Sequence, residues 1–447
     1  MTNSITIQQK IDRVIAYIDR VICKQLTIIL HHAQFQQLEA SWRGIDYLTK
    51  QSSEYGHQRV KIKLLSITAK EVEKDLMSAI EFDQSQLFLK IYSNEFDIPG
   101  GEPFGLIIGD YYVNHRIARS DNNILSIQAL KLISHIAAAA FSPFVAAVHA
   151  GFFGLNDYSE MPAHLDLDKL FQHNEYYAWK KFRESDDARF IGLTLPRVLM
   201  RSAYKHYPIE PYLHYTEQTR VGTSLWGNPS YCYAAVVIRS FARTSWLADI
   251  SGLLPGKLAG GIVTGIQSAT AEQSEHTGFM PRFGLEYMIT DRREKLFTHF
   301  GLLPLCHCKY SNYGVFYSSY SIKKIQSYNN KQVEQNANLS IMLHYILCVS
   351  RFAHYIKLLV RDKIGSFSSP EQCEKILTAW ILQYAAAGND LDEEIKAKKP
   401  LKSASVSVLQ KKGKPGSFHC TINLQPHYQI EQMESHMQLV TELKVAC

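Results

Sequence analysis

The sequence predicts an α/β protein, built as mixed sheet domains with flanking helices plus a small C-terminal β-rich subdomain. Three observations carry that prediction. Strand, helix and strand patterns alternate from Phe104 to Leu195, the order that lays crossover helices on a sheet with parallel pairing. Apolar residues recur at 3-4 spacing in several long stretches, the period of amphipathic helices. Near the C-terminus, short alternating runs flank a turn rich in Lys, Gly and Pro, which reads as a hairpin. With 447 residues, 46% apolar and 11% aromatic, the chain has enough material for two or more packed domains.

Taken in order, Ile11, Val14, Ile15, Ile18, Val21, Ile22 and Leu26 form the stripe of a first helix, and that stripe needs a partner. Phe35, Leu38, Trp42 and Ile45 mark a second helix. Val60, Ile62 and Leu64 alternate with Lys61 and Lys63, which predicts a half-buried strand, and Ala69 to Phe82 then reads as a helix. Phe104 to Tyr111 is a strand, Leu125 to Phe141 a buried helix and Phe144 to Val148 a core strand. From Glu175 to Ser185 a helix leads into the strand Phe190 to Leu195, which Pro196 closes.

Ser230 to Trp246 is a further helix, and the five glycines between Gly252 and Gly265 make a closely packed loop. A turn and strand follow Tyr287 to Phe300, and the longest helix is expected from about Gln332 to Ile364. On that helix Arg351, His354, Lys357 and Arg361 lie off the apolar stripe, to meet acids or water. Gly365 to Pro370 is a joint, and Glu371 to Ala386 a helix. Ala404 to Leu409 pairs with Ser417 to Leu424, and a last strand runs near Met437 to Leu443.

Charge narrows the function classes. The formal charge is +6, yet the seven lysines between Ile395 and Lys414 have no acid among them, so the remaining chain carries −1. A basic protein built for nucleic acid does not distribute charge this way. Eight cysteines are scattered without framework spacing, which favours reduced thiols. Leu132 to Asn156 lacks Asp, Glu, Lys and Arg over a span-like length, but Pro143 divides it and Ser134, His135 and His149 lie inside, so a buried helix and strand explain it better than a membrane span.

Local chemistry is sparse. His31 and His32 are adjacent and point about 100° apart on a helix, and no ligand set accompanies them. Cys306, His307 and Cys308 are the best metal candidate, but a strand would turn His307 away from the two thiols. Gly100, Gly101 and Gly105 follow a helix and lead into a strand, the reverse of a phosphate cradle. No metalloprotease, nucleophile-elbow, Walker or dinucleotide motif occurs, and neither metal nor cofactor is expected.

Seven stretches share a resemblance: ILHHAQFQQLEASWRGI, FDQSQLFLKIYSNEFDIPGGEPFGLIIGDYYV, FRESDDARFIGLTLPRVL, LWGNPSYCYA, ITDRREKLF with GLLPL, SRFAHYIKLLVRDKIG and LQPHYQIEQMESHMQLV. In this order they resemble the large subunit of the type VI secretion contractile sheath, the TssC/VipB family, and they cover most of the chain. The resemblance implies a contractile tail-sheath-like fold and a structural role without catalysis: pairing with a small sheath subunit of the TssB/VipA kind, and polymerising helically with copies of itself around an inner tube of Hcp-like protein. It further implies docking on a baseplate, recycling by an AAA+ ATPase, a cytoplasmic location, and neither nucleic-acid binding nor membrane insertion. The alternatives are a cytosolic enzyme with a His and carboxylate cleft, or a scaffold that never contracts.

On this reading residues 1–28 are an N-terminal helical arm, 29–365 the main α/β sheath region in two subdomains, and 366–447 a C-terminal α+β subdomain with strands that link subunits. Members of the family carry a longer arm before the ILHH-like block, so Ser4 to Ile7 is the one candidate here for a donated strand. The interface candidates are Trp42 and Arg43 in the first block, Arg183, Glu184, Asp186, Asp187 and Arg189 in the charged block, and Lys411, Lys412 and Lys414 in the lysine segment. The charged block is read as a salt-bridge network that fixes a subunit or domain contact.

Overall fold

The computed structural model describes residues 7–56, 59–116, 122–162, 165–204, 207–210, 213–217, 224–247, 249–253, 258–269, 282–309, 311–324, 337, 340–363, 370–386, 388, 393–410, 417–427 and 437–444. Its first two helices are α1 (Ile7–Leu30) and α2 (Ala33–Gln51), separated by His31 and His32. Helix α3 (Ala69–Ser78) opens with a capping box: the Thr68 side chain accepts from the Glu71 N–H, and the Glu71 carboxylate accepts from the Thr68 N–H in return.

The sheet that organises the molecule is wholly parallel. It comprises β1 (Ile107–Val113), β2 (Ile124–Leu125), β3 (Phe144–Val148), β4 (Ile191–Leu195) and the later pair Leu303–Pro304, in the order Leu303–Pro304, β4, β3, β1, β2. Every residue of β3 and β4 is buried, as expected of central strands covered on both faces. Consecutive side chains of β3 accordingly enter different cores. Phe144, Ala146 and Val148 join a cluster with the crossover helix α4 (Ile127–Ala139) and with Trp179 and Phe182 of α5 (Tyr177–Arg183). Val145 faces the opposite cluster, with Tyr47 of α2, the helix α6 (Ser230–Thr244) and Leu343 and Ile346. The predicted α/β class is therefore met by a two-sided parallel sheet.

A third core lies beyond it. Helix α7 (Leu343–Lys363) passes from the second cluster into the third, where Phe352 and Ile356 meet Cys373, Leu377 and Ile381 of α8 (Pro370–Leu382). Strands β5 (Leu401–Gln410), β6 (Ser417–Pro426) and β7 (Met437–Lys444) form an antiparallel three-stranded sheet on this helix pair. Trp246 stacks on Phe352 with ring centroids 4.1 Å apart, tying the end of α6 into this core.

Several expected elements differ. Residues 60–67 form no strand: Val60 and Ile62 are half-buried, whereas Leu64 and Leu65 are 63% and 51% exposed. Alternation there comes from a chain lying along the surface, held by ion pairs of Lys61 with Glu102 and of Lys63 with Glu95. The first strand of the sheet begins at Ile107 rather than Phe104, and α3 stops at Ser78 because Ala79 turns to extended geometry. The long helix starts at Leu343, since Met342 bridges Tyr320, which leaves α1 the longest helix among the described residues; much of 332–342 lies outside them. Residues 1–6 also lie outside, so of the donated-strand candidate only Ile7 is described, and it opens α1. Among the described residues no helix is long and apolar enough to cross a membrane.

Candidate functional site

The charged block from Trp179 to Arg201 separates into one buried cation and a set of surface pairs. Arg183, on the last turn of α5, is only 9% exposed and meets no carboxylate among the described residues. Its Nε donates to the Ile322 carbonyl at 2.9 Å, its Nη2 to the His299 carbonyl at 3.4 Å, and the guanidinium lies over Phe300. Burial pushes its pKa down to about 10. The neighbours are wetter. Asp186 pairs with Lys323 and, at 3.3 Å, with Arg189; Glu184 reaches Lys324 at 3.4 Å; Asp187 accepts from His135 Nδ1 at 2.6 Å. The block thus fastens the start of β4 to α4 and to the 322–324 segment within the chain.

Trp42 is 61% exposed on α2, beside Leu38 and Phe35, which are also exposed. Arg43 points inward instead, donating to Glu39 at 2.8 Å and to the Tyr204 hydroxyl at 3.0 Å. It belongs to a cluster that no local motif announces. Arg201 donates to Glu39 at 2.7 Å and to Glu217 at 2.5 Å, and its guanidinium stacks over Tyr204. Glu217 also accepts from the Tyr204 N–H at 3.1 Å and from His31 Nε2 at 2.9 Å. Burial works to raise the Glu217 carboxyl, but these donors, Arg201 foremost, hold it below the ordinary value. One signal in the sequence pointed here: Arg201 ends a strand whose other residues are apolar, and a cation so placed needs carboxylates.

Two further buried clusters are structural anchors. Arg197 grips Glu286 with two hydrogen bonds of 2.6 Å and Asp157 with a third. The carboxylate of Asp110 on β1 accepts from Ser41 on α2, with Tyr231 and Asn228 completing its shell; burial raises its pKa despite them. Arg351 lies over Phe241, Trp246 and Tyr355, His354 donates to the Ala140 carbonyl at 3.0 Å, Lys357 pairs with Asp97 at 3.0 Å, and Arg361 donates to the Ile98 carbonyl. Among the described residues no three His, Cys, Asp or Glu side chains converge as a metal would require. Lys411, Lys412 and Lys414 lie outside the described residues.

What remains for a partner is apolar surface. Helix α1 buries none of its residues: Ile7, Ile11, Val14, Ile15 and Ile18 are all between 48% and 78% exposed. Such a stripe on a 24-residue helix favours a partner that covers it.

Residues 12–323 match the family model described as EvpB/VC_A0108, tail sheath N-terminal domain, and residues 332–443 match EvpB/VC_A0108, tail sheath gpW/gp25-like domain. The chain belongs to the VipB/TssC family of type VI secretion sheath proteins. It is 35% identical over 445 residues to the type VI secretion system sheath protein TssC1 of Pseudomonas aeruginosa, an alignment spanning 98% of this chain and 86% of that protein. In this family member the parallel sheet falls in the stretch matched by the N-terminal sheath model, whereas Leu343 and Ile346, which complete its second core, and nearly all of the antiparallel C-terminal sheet fall in the second.

Proposed function

We propose that this protein is the structural large subunit of a cytoplasmic type VI contractile sheath and catalyses no reaction. It pairs with a small sheath subunit of the TssB/VipA kind, stacks helically with its own copies around a tube of Hcp-like protein, and contracts to expel that tube from a baseplate; an AAA+ ATPase then recycles the subunits. The observation that carries the reading is the 35% identity to a sheath protein over 98% of the chain. The exposed apolar stripe of α1 supports it, because such a face suits a helical partner.

Contraction requires links between protomers that survive sliding, and two packings that differ in free energy. Strand addition meets the first need, since main-chain hydrogen bonds tolerate any side chain. Strands β5 to β7 are the proposed site, with a three-stranded sheet small enough to gain from neighbouring strands. Lys411, Lys412 and Lys414, between β5 and β6, then face an acidic surface of the tube or small subunit. Trp42, exposed on α2, and the Glu184, Asp186, Asp187 and Arg189 surface are the other proposed contacts, with the arm, main region and C-terminal subdomain divided near residues 28 and 365.

Co-expression with a small sheath subunit, followed by negative-stain microscopy, tests the proposal. Tubules with cogwheel ends support it; a monomer that ignores the small subunit overturns it. Unchanged assembly after replacement of the seven lysines between 396 and 414 by glutamine overturns the electrostatic contact alone.

A further inference from the structure

Helix α1 meets the body as a rod meets a joint. None of its residues is buried, and none joins any of the three cores among the described residues. Helix α2, by contrast, is embedded: Tyr47 donates to the Thr264 carbonyl at 2.8 Å, and Gly44 lies directly against the Tyr231 ring. Two residues connect them. His32, at the N-cap of α2, is extended with ψ 127° and makes no side-chain cap, so the joint is not stiffened by the hydrogen bond that a Ser or Asp would supply.

The angle of the rod is set instead by contacts at its last turn. Thr27 Oγ1 and the Tyr215 hydroxyl share a hydrogen bond of 3.0 Å, and His31 Nε2 donates to Glu217 at 2.9 Å. Glu217 is in turn fixed by Arg201, which also holds Glu39 of α2. One carboxylate cluster therefore grips the rod, the embedded helix and the strand that ends at Arg201. We propose that the Thr27–Tyr215 and His31–Glu217 contacts are a latch that sets the direction of the N-terminal helix, and that opening it lets α1 swing as a unit about His31 and His32.

Geometry makes such a swing large at its far end. A helix of 24 residues is about 36 Å long, so a rotation of about 20° at the joint carries Ile7 through about 12 Å. Because α1 contributes to none of the three cores among the described residues, the swing exposes no core. Two hydrogen bonds at the rim are also weak enough for a partner on the apolar face of α1 to outweigh. The latch would then give the arm two directions, one held by the chain itself and one chosen by its partner.

Distance measurement on the purified full-length chain tests this. Spin labels are attached through ketone-bearing residues at Gln8 on α1 and Lys74 on α3, both exposed, because a thiol label would also react at the partly exposed Cys23. The parent should give a narrow distance distribution, Thr27→Val with His31→Ala one broadened about twofold or more, and His31→Gln, whose amide also donates to Glu217, a narrow one. Equal widths for the parent and the double variant overturn the latch. So does a His31→Gln distribution as broad as that of the double variant, or loss of the cooperative thermal transition in the double variant, which would make these contacts part of the core.

Discussion

The Nε of Arg183 donates to the main-chain oxygen of Ile322 at 2.9 Å, joining the end of a crossover helix to a segment 139 residues away in sequence. Among the described residues the guanidinium's polar partners are carbonyl oxygens and it lies over the Phe300 ring, so a negative charge placed there would be buried without a partner. Arg183→Glu should therefore cost about 3 kcal/mol or more and leave the subunit unfolded or aggregated. Arg189→Glu, on a wetter surface opposite Asp186, should cost about 1 kcal/mol at most. Urea denaturation of both variants separates them, and equal midpoints would refute the assignment.

Gly44 marks the closest approach of α2 to α6. A Cβ there would fall inside the van der Waals contact of the Tyr231 ring, whose hydroxyl serves Asp110. Glycine-to-alanine changes in helices ordinarily gain about 1 kcal/mol. Here Gly44→Ala should instead lose about 1–3 kcal/mol through overpacking, read as a lowered urea midpoint.

Acidification should weaken the fold through buried imidazoles. Burial lowers the pKa of His344 to about 4 and, against the opposing hydrogen bond to the Ala140 carbonyl, lowers that of His354 to about 4 as well. For a histidine depressed in the folded state the unfolded chain takes the proton first. Stability from these rings is thus complete above about pH 6.5 and is lost as pH falls toward 4. The melting temperature should drop between pH 6.5 and 5, and His354→Gln should flatten that drop. An identical pH profile for parent and variant would count against it.

Trp42 touches solvent over most of its ring, so Trp42→Ala should change the stability of the isolated chain by about 0.5 kcal/mol at most. If α2 meets a partner there, the same change should reduce co-purification with the small sheath subunit about tenfold, as expected of a buried aromatic anchor. Undiminished co-purification would remove Trp42 from the interface.

Much of the fold was legible because local period reports it. The strands at Phe144–Val148 and Ile191–Leu195 stand out as short apolar runs bounded by helices, and the C-terminal hairpin by its turn residues. The segment at Val60 misled, since a half-buried surface chain alternates as a strand does, and only neighbours decide whether a ladder forms. The candidate site was less legible. Sign alternation in Arg183, Glu184, Asp186, Asp187 and Arg189 suggested one network, yet Arg183 is buried on carbonyls while the others pair at the surface.

By itself the sequence determined the α/β class, the family and the unpartnered stripe of α1, because each is written in spacing or wording along the chain. Only the tertiary structure decided which charges are buried and with whom. Glu217 finds His31 from 186 residues away and Glu39 finds Arg201 from 162, partnerships made when the parallel sheet brings remote segments together. The periodicity of one segment carries no information about that crossing, so the joint at the root of α1 became visible only in three dimensions.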